Sequence, residues 1–176
     1  MDGCILQEVR EEPTGAIPAR LGGPAPQAVC DPLEIQKLIA DRAYAFDEQD
    51  AEGMAALSVP GGCLEFSYPG DREPAARYET SSAIVETMRL YFEPPHSGLL
   101  TRKHYSSMRF DVLATYRAQA RAIFLATGQT PEREEPVALL SGVTEWEFER
   151  TTTGWRFRRA SGHNARRRWL DGPWPP

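Results

Sequence analysis

The last third of the chain alternates. Thr144, Trp146 and Phe148 take one parity, and Glu145, Glu147 and Glu149 take the other. Successive side chains of a strand point to opposite faces of its sheet, so this segment is a strand with one apolar and one solvated face. Thr151-Thr152-Thr153-Gly154 then turns the chain, and Trp155 and Phe157 resume the apolar parity against Arg156 and Arg158. Two earlier runs read the same way. One covers Thr101 to Val112. The other covers Arg117 to Thr127, where Ala118, Ala120, Ala122 and Phe124 share a face. Everything after Leu100 is strand-like, with a polar loop at 128–135. An antiparallel meander with one apolar face has to bury that face against another layer. The residues before it read as three helices that could do so.

Those residues carry helical spacing. Asp31-Pro32-Leu33-Glu34 predicts a helix start, with Asp31 as cap, Pro32 in the first turn and Glu34 closing a capping box. Ile35, Leu38, Ile39, Arg42, Ala43 and Phe46 recur on one stripe, and Asp47 falls on its margin. A short helix follows from Ala51 to Leu57, then a strand from Cys63 to Tyr68. A third helix spans Thr80 to Tyr91, with Ile84, Met88 and Tyr91 on one side. The predicted fold is α+β: a cone-shaped, curved antiparallel sheet wrapped around N-terminal helices and enclosing an apolar cavity. Phe66, Tyr68, Phe110, Phe124, Trp146 and Trp155 would line it, with Ala118, Ala120, Ala122 and Gly142 leaving room. Residues 1–30, with Gly22-Gly23-Pro24-Ala25-Pro26, read as a flexible arm, 31–170 as the domain, and 171–176 as an extended tail carrying Trp174.

Several function classes recede. A net charge of −5 gives no general attraction to nucleic acid or anionic membrane. Cys4, Cys30 and Cys63 are too scattered for a disulfide framework or a zinc site. There is no run of 18 apolar residues and no secretory signal at Met1–Glu8, so the expected location is cytoplasmic. No metal-binding histidine spacing, Gly-rich phosphate loop or nucleophile elbow is present. The expectation is therefore proton-transfer chemistry with no cofactor and no metal, on a small-molecule substrate.

Strict alternation puts His104 on a face with Ser106, Met108, Phe110 and Val112, and puts Lys103, Tyr105, Ser107, Arg109 and Asp111 on the other. An imidazole facing an apolar interior is either an acid–base group or a core histidine with one hydrogen-bond partner. Asp47 either enters the cavity or pairs with Arg42 or Lys103 near the helix end. His163 shares the parity of Trp155 and Phe157 and so reaches the cavity mouth or sits in a loop. Arg159 has that parity too, and is either displaced outward by a bulge or a buried cation that binds an anionic substrate. Tyr105, Ile123, Leu125 and Leu139 fall on the parity opposite the cavity, which predicts a homodimer through the outer sheet face.

The element order resembles the nuclear transport factor 2-like superfamily, and within it the SnoaL-like branch that includes polyketide cyclases and scytalone dehydratase. The resemblance rests on Ala43-Tyr44-Ala45-Phe46-Asp47-Glu48-Gln49-Asp50, on Leu64-Glu65-Phe66-Ser67-Tyr68, on His104 in the strand after the third helix, and on the closing hairpin Trp146-Glu147-Phe148 to Trp155-Arg156-Phe157. It implies an Asp47–His104 dyad, with Tyr68 polarising a carbonyl. Substrate contacts would come from Phe46, Phe66, Met108, Phe110, Phe124, Thr144, Trp146, Trp155 and His163. The implied reaction is a dehydration, isomerisation or cyclisation of an apolar polyketide-like or terpenoid intermediate. The same fold also implies an alternative, a non-catalytic ligand-binding or accessory subunit. The chain departs from the dehydratase pattern at Phe46, where that pattern has tyrosine, and at Ala118, Ala120, Ala122 and Phe124, a strand where it has a second histidine.

Overall fold

The structure, a computed structural model, describes residues 26–165 except 69, 95, 97, 133 and 134. The tail at 171–176 and nearly all of the arm at 1–30 lie outside the described residues. The elements run α1 (Pro26–Asp47), α2 (Ala51–Ala56), β1 (Ser58–Ser67), β2 (Ala76–Tyr78), α3 (Ser81–Phe92), β3 (Leu100–Leu113), β4 (Arg117–Gln129), β5 (Val137–Thr151) and β6 (Gly154–Asn164). Helices lie against one face of a single curved sheet, giving the α+β class.

The first helix starts earlier than its sequence signal. Pro32 lies inside α1 rather than in its first turn, and Asp31 is buried and ion-paired with Arg150 of β5. A carboxylate that caps a helix in isolation has here been recruited to tie α1 to the sheet. The other helices keep local caps: Asp50 accepts from the Gly53 N–H and Thr80 from the Ala83 N–H.

The six strands lie in the order β2-β1-β6-β5-β4-β3. Four of the five pairings are antiparallel, but β1 runs parallel to β6, which corrects the expectation of an antiparallel sheet. Ile35, Leu38 and Ile39 of α1, Met54 of α2 and Ile84 and Met88 of α3 pack on Phe148, Phe157 and Trp146 of the concave face. The β4 alanines have a different task from the one predicted. Ala118 and Ala120 stand opposite Phe148 and Trp146 in the ladder, so their small size accommodates the large rings of β5. Gly142 is forced by a close approach: a Cβ there would sit 2.0 Å from the His163 carbonyl oxygen.

Bulges decide which residues face inward. β3 advances from Ser106 to Arg109 while β4 moves only from Ile123 to Arg121. One β3 residue is therefore extra, and Ser107 takes a left-handed φ of 51°. A second extra residue lies in β6, between Phe157 (opposite Phe148) and Arg159 (opposite Glu147). Each one exchanges inside and outside for the residues beyond it.

Candidate active site

The cavity opens between α1 and the concave sheet, with a volume of about 80 Å³. Phe46, Met54, Leu64, Phe66, Met88, Phe124, Leu140 and Trp146 form its apolar wall. Arg42, Lys103, Tyr105, Thr144 and Asn164 contribute polar groups. The mixture of apolar walls and a few polar groups is that of a small-molecule site.

The β3 bulge changes the identity of the central residue. Beyond Ser107, Met108 and Phe110 pack on the core, as strict alternation requires. Before it, the inward side chains are Thr101, Lys103 and Tyr105, and His104 is exposed on the outer face. There its Nε2 lies 3.4 Å from the Thr127 hydroxyl. The predicted dyad does not form. The Asp47 Oδ1 accepts from the Thr101 hydroxyl at 2.8 Å, and its Oδ2 accepts a long bond of 3.4 Å from the Lys103 backbone N–H. Asp47 thus pins the end of α1 to β3 and fixes the backbone that carries Lys103.

Other predicted contacts divide. Phe46, Phe66, Phe124, Thr144 and Trp146 line the cavity. Met108 and Phe110 belong to the packed core and do not line it. Trp155 is also in the core, beneath the Arg150 guanidinium, and its indole nitrogen has no hydrogen-bond partner. Tyr68 lies one residue beyond β1, its N–H donating to Asp71, and is not on the cavity wall. His163 is exposed, 3.5 Å from Glu145, because the β6 bulge inverts its parity. The same bulge turns Arg159 outward, where it pairs with Glu65 and Glu147. Tyr105 was expected outside and is inside. Leu139, also expected outside, is buried in a satellite cluster with Leu99 and Ala126.

Lys103 and Arg42 are the functional candidates that alternation missed. The Lys103 ammonium lies over the Phe46 ring, 3.6 Å from its centroid. Burial and the neighbouring Arg42 charge, opposed by Asp47, lower its pKa to about 8. The Arg42 guanidinium is over nine-tenths buried and lies 5.1 Å from the Phe157 ring centroid. Burial lowers its pKa, though a guanidinium stays charged at working pH. No carboxylate among the described residues is within ion-pair distance of either cation. An unpaired buried cation costs several kcal/mol, and a cation–π contact returns only ~2 kcal/mol. Tyr105 stands edge-on to Trp146 at 5.2 Å, and burial raises the pKa of its hydroxyl. The sequence held one signal for this arrangement: Arg42 occupies the apolar stripe of α1.

Residues 27–161 match the SnoaL-like domain model. The chain belongs to the SnoaL-like domain family. That family includes polyketide cyclases and dehydratases of the scytalone dehydratase type. Among solved structures, this SnoaL-like chain is similar to a nuclear transport factor 2-like protein with a cystatin-like fold from Novosphingobium aromaticivorans. The identity is 23%, over 84% of this chain and 86% of that one, with a TM-score of 0.63. It is similar to a provisionally assigned scytalone dehydratase from the same organism, at 18% identity, 78% and 86% coverage and a TM-score of 0.62. The β subunit of a provisionally assigned aromatic-ring-hydroxylating dioxygenase, also from that organism, shares 12% identity over 81% and 93%, with a TM-score of 0.68. At these identities the likeness is one of fold. No functionally curated protein matches the sequence. No helix among the described residues is long and apolar enough to cross a membrane, and no group of three or more metal-ligating side chains occurs among them.

Proposed function

We propose that this SnoaL-like chain is a cofactor-independent acid–base enzyme, a dehydratase, isomerase or cyclase acting on an apolar polyketide-like or terpenoid intermediate, with Lys103 as its proton-transfer group. The observation that carries this reading is the placement of the Lys103 amine inside an apolar cavity with no carboxylate among the described residues within ion-pair distance. An amine in that setting exchanges protons near neutral pH. As a free amine, Lys103 removes a proton from the carbon next to a substrate carbonyl. The electron pair moves to the carbonyl oxygen, and the resulting enolate oxygen accepts a hydrogen bond from the Tyr105 hydroxyl on the cavity wall. The Lys103 ammonium then returns the proton to another carbon, completing an isomerisation, or to a departing hydroxyl that leaves as water.

The test needs no knowledge of the natural substrate. With 2-tetralone in deuterium oxide, the wild-type chain should accelerate exchange of the protons beside the carbonyl, followed by NMR. Lys103→Met should reduce this by about 10²-fold, and His104→Ala should leave it unchanged. Loss of exchange in His104→Ala with retention in Lys103→Met would sink the assignment. Equal exchange in wild type and Lys103→Met would favour a binding or accessory role for the same fold.

A further inference from the structure

The cavity is short of one anion. Arg42 and Lys103 both face it, and the Arg42 charge lowers the tendency of Lys103 to stay charged. Asp47, the nearest carboxylate, is already engaged by the Thr101 hydroxyl and the Lys103 backbone. The other strongly buried carboxylate on this part of the sheet, Glu65, points to the opposite face and is held by Arg77 and Arg159. Among the described residues the Arg42 guanidinium has one ring contact, to Phe157, and no carboxylate partner, yet Arg42 is more deeply buried than Lys103. A buried guanidinium with no counter-charge is a poor structural element, because packing alone would favour leucine or methionine on an apolar helical stripe. Its planar fork of donors, by contrast, matches a carboxylate.

We infer that the natural ligand carries a carboxylate on an apolar ring or chain, and that Arg42 is the residue that anchors it, leaving the rest of the ligand against Phe46, Phe66, Phe124 and Trp146. This rests on the cavity being the ligand site, as in the proton-transfer reading above, and it narrows the substrate from any apolar intermediate to an apolar acid. Division of labour follows from burial. The deeper cation, which cannot release its proton, binds the carboxylate. The shallower one, which can, handles the reacting carbon. Arg42 then sets specificity: an ester or amide of the same skeleton would leave the guanidinium without a partner.

Matched ligand pairs test this on the full chain. Benzoate, 2-naphthoate and decanoate are compared with their primary amides at pH 7, using quenching of tryptophan fluorescence and calorimetry. At least one acid should bind the wild type ~10-fold or more tightly than its amide, as expected for a charge-assisted pair out of water. Arg42→Met should erase that preference while keeping affinity for the amide, and Arg42→Lys should restore part of it. If the amides bind as well as the acids, if none of the acids binds at millimolar concentration, or if Arg42→Met keeps the preference, the inference is wrong. Should Arg42→Met fail to fold, the wild-type comparison decides by itself. These outcomes are separate from the exchange experiment. Acid preference without Lys103-dependent exchange would leave a carboxylate-binding protein that performs no proton transfer. Exchange without acid preference would leave the enzyme and remove its anchor.

Discussion

Lys103 and His104 are adjacent, and opposite faces of the sheet separate their fates. Every charged residue brought indoors must gain something from its surroundings, and the Lys103 ammonium gains the Phe46 ring and a distant Asp47 while losing water. Its free form is therefore favoured by folding. With a pKa lowered from 10.5 to about 8, the folded chain holds fewer protons than the unfolded chain between those values. This group's contribution to stability is present in full above pH 10.5 and is lost as pH falls through 8. The wild type should accordingly gain urea resistance from pH 8 to pH 10 relative to Lys103→Met, and equal slopes for the two would show that Lys103 is not desolvated. The comparison stops at pH 10 because Tyr105 acts in the opposite sense: its raised pKa favours the neutral hydroxyl, and stability from it is lost as pH rises through that value. Catalysis by the amine form predicts an exchange rate that climbs as pH passes 8. A rate that falls there would assign the acting group to the ammonium.

The bulge at Ser107 is the element on which the site turns. A left-handed φ costs a residue with a Cβ about 1 kcal/mol, and a β-branched one more. Ser107→Gly should raise stability by ~0.5–1 kcal/mol and Ser107→Val should lower it by at least ~1 kcal/mol, measured by urea unfolding. Gly142→Ala should be more damaging, by about 2–3 kcal/mol, since the new methyl meets the His163 carbonyl across a fixed ladder. These devices also explain how far the sequence could be read. Alternation located β3, β4, β5 and β6, because each has an apolar side with period two, and helical spacing located α1, α2 and α3. Helical spacing assigned Phe46 to the inner face, and alternation did the same for Phe66, Phe124, Thr144 and Trp146. It failed at His104, Tyr105 and His163 for one reason: an inserted residue leaves the local pattern intact while exchanging the faces beyond it. Ser106-Ser107 looks in sequence like any other polar pair. The capping signal at Asp31 failed differently, since its carboxylate was committed to Arg150, 119 residues away, and no local rule reports a distant partner.

At the scale of the molecule, the convex face of the sheet carries Ile123 at 52% exposure opposite Val143 at 39%, with Leu125 at 40% beside them. A second copy of this chain is the partner we propose for this patch, which excludes water best by self-association across a two-fold axis. Ile123→Glu should convert a dimer to a monomer in sedimentation at tens of micromolar while sparing the cavity on the other side. A wild type that is already monomeric would refute the dimer. The parallel pairing of β1 with β6 bears on a different matter, the order in which the chain can acquire its shape. β3 to β6 form a meander that closes through neighbours in sequence. β1 waits for the last strand: Glu65 meets Arg159 across 94 residues. Closing so long a loop is slow relative to local pairing, and on a ribosome the edge of β1 that pairs with β6 stays open until β6 has been made. The edge it offers in the meantime is open to other chains. Crowded expression should therefore reveal aggregation during synthesis that the finished protein, once β6 is in place, does not show.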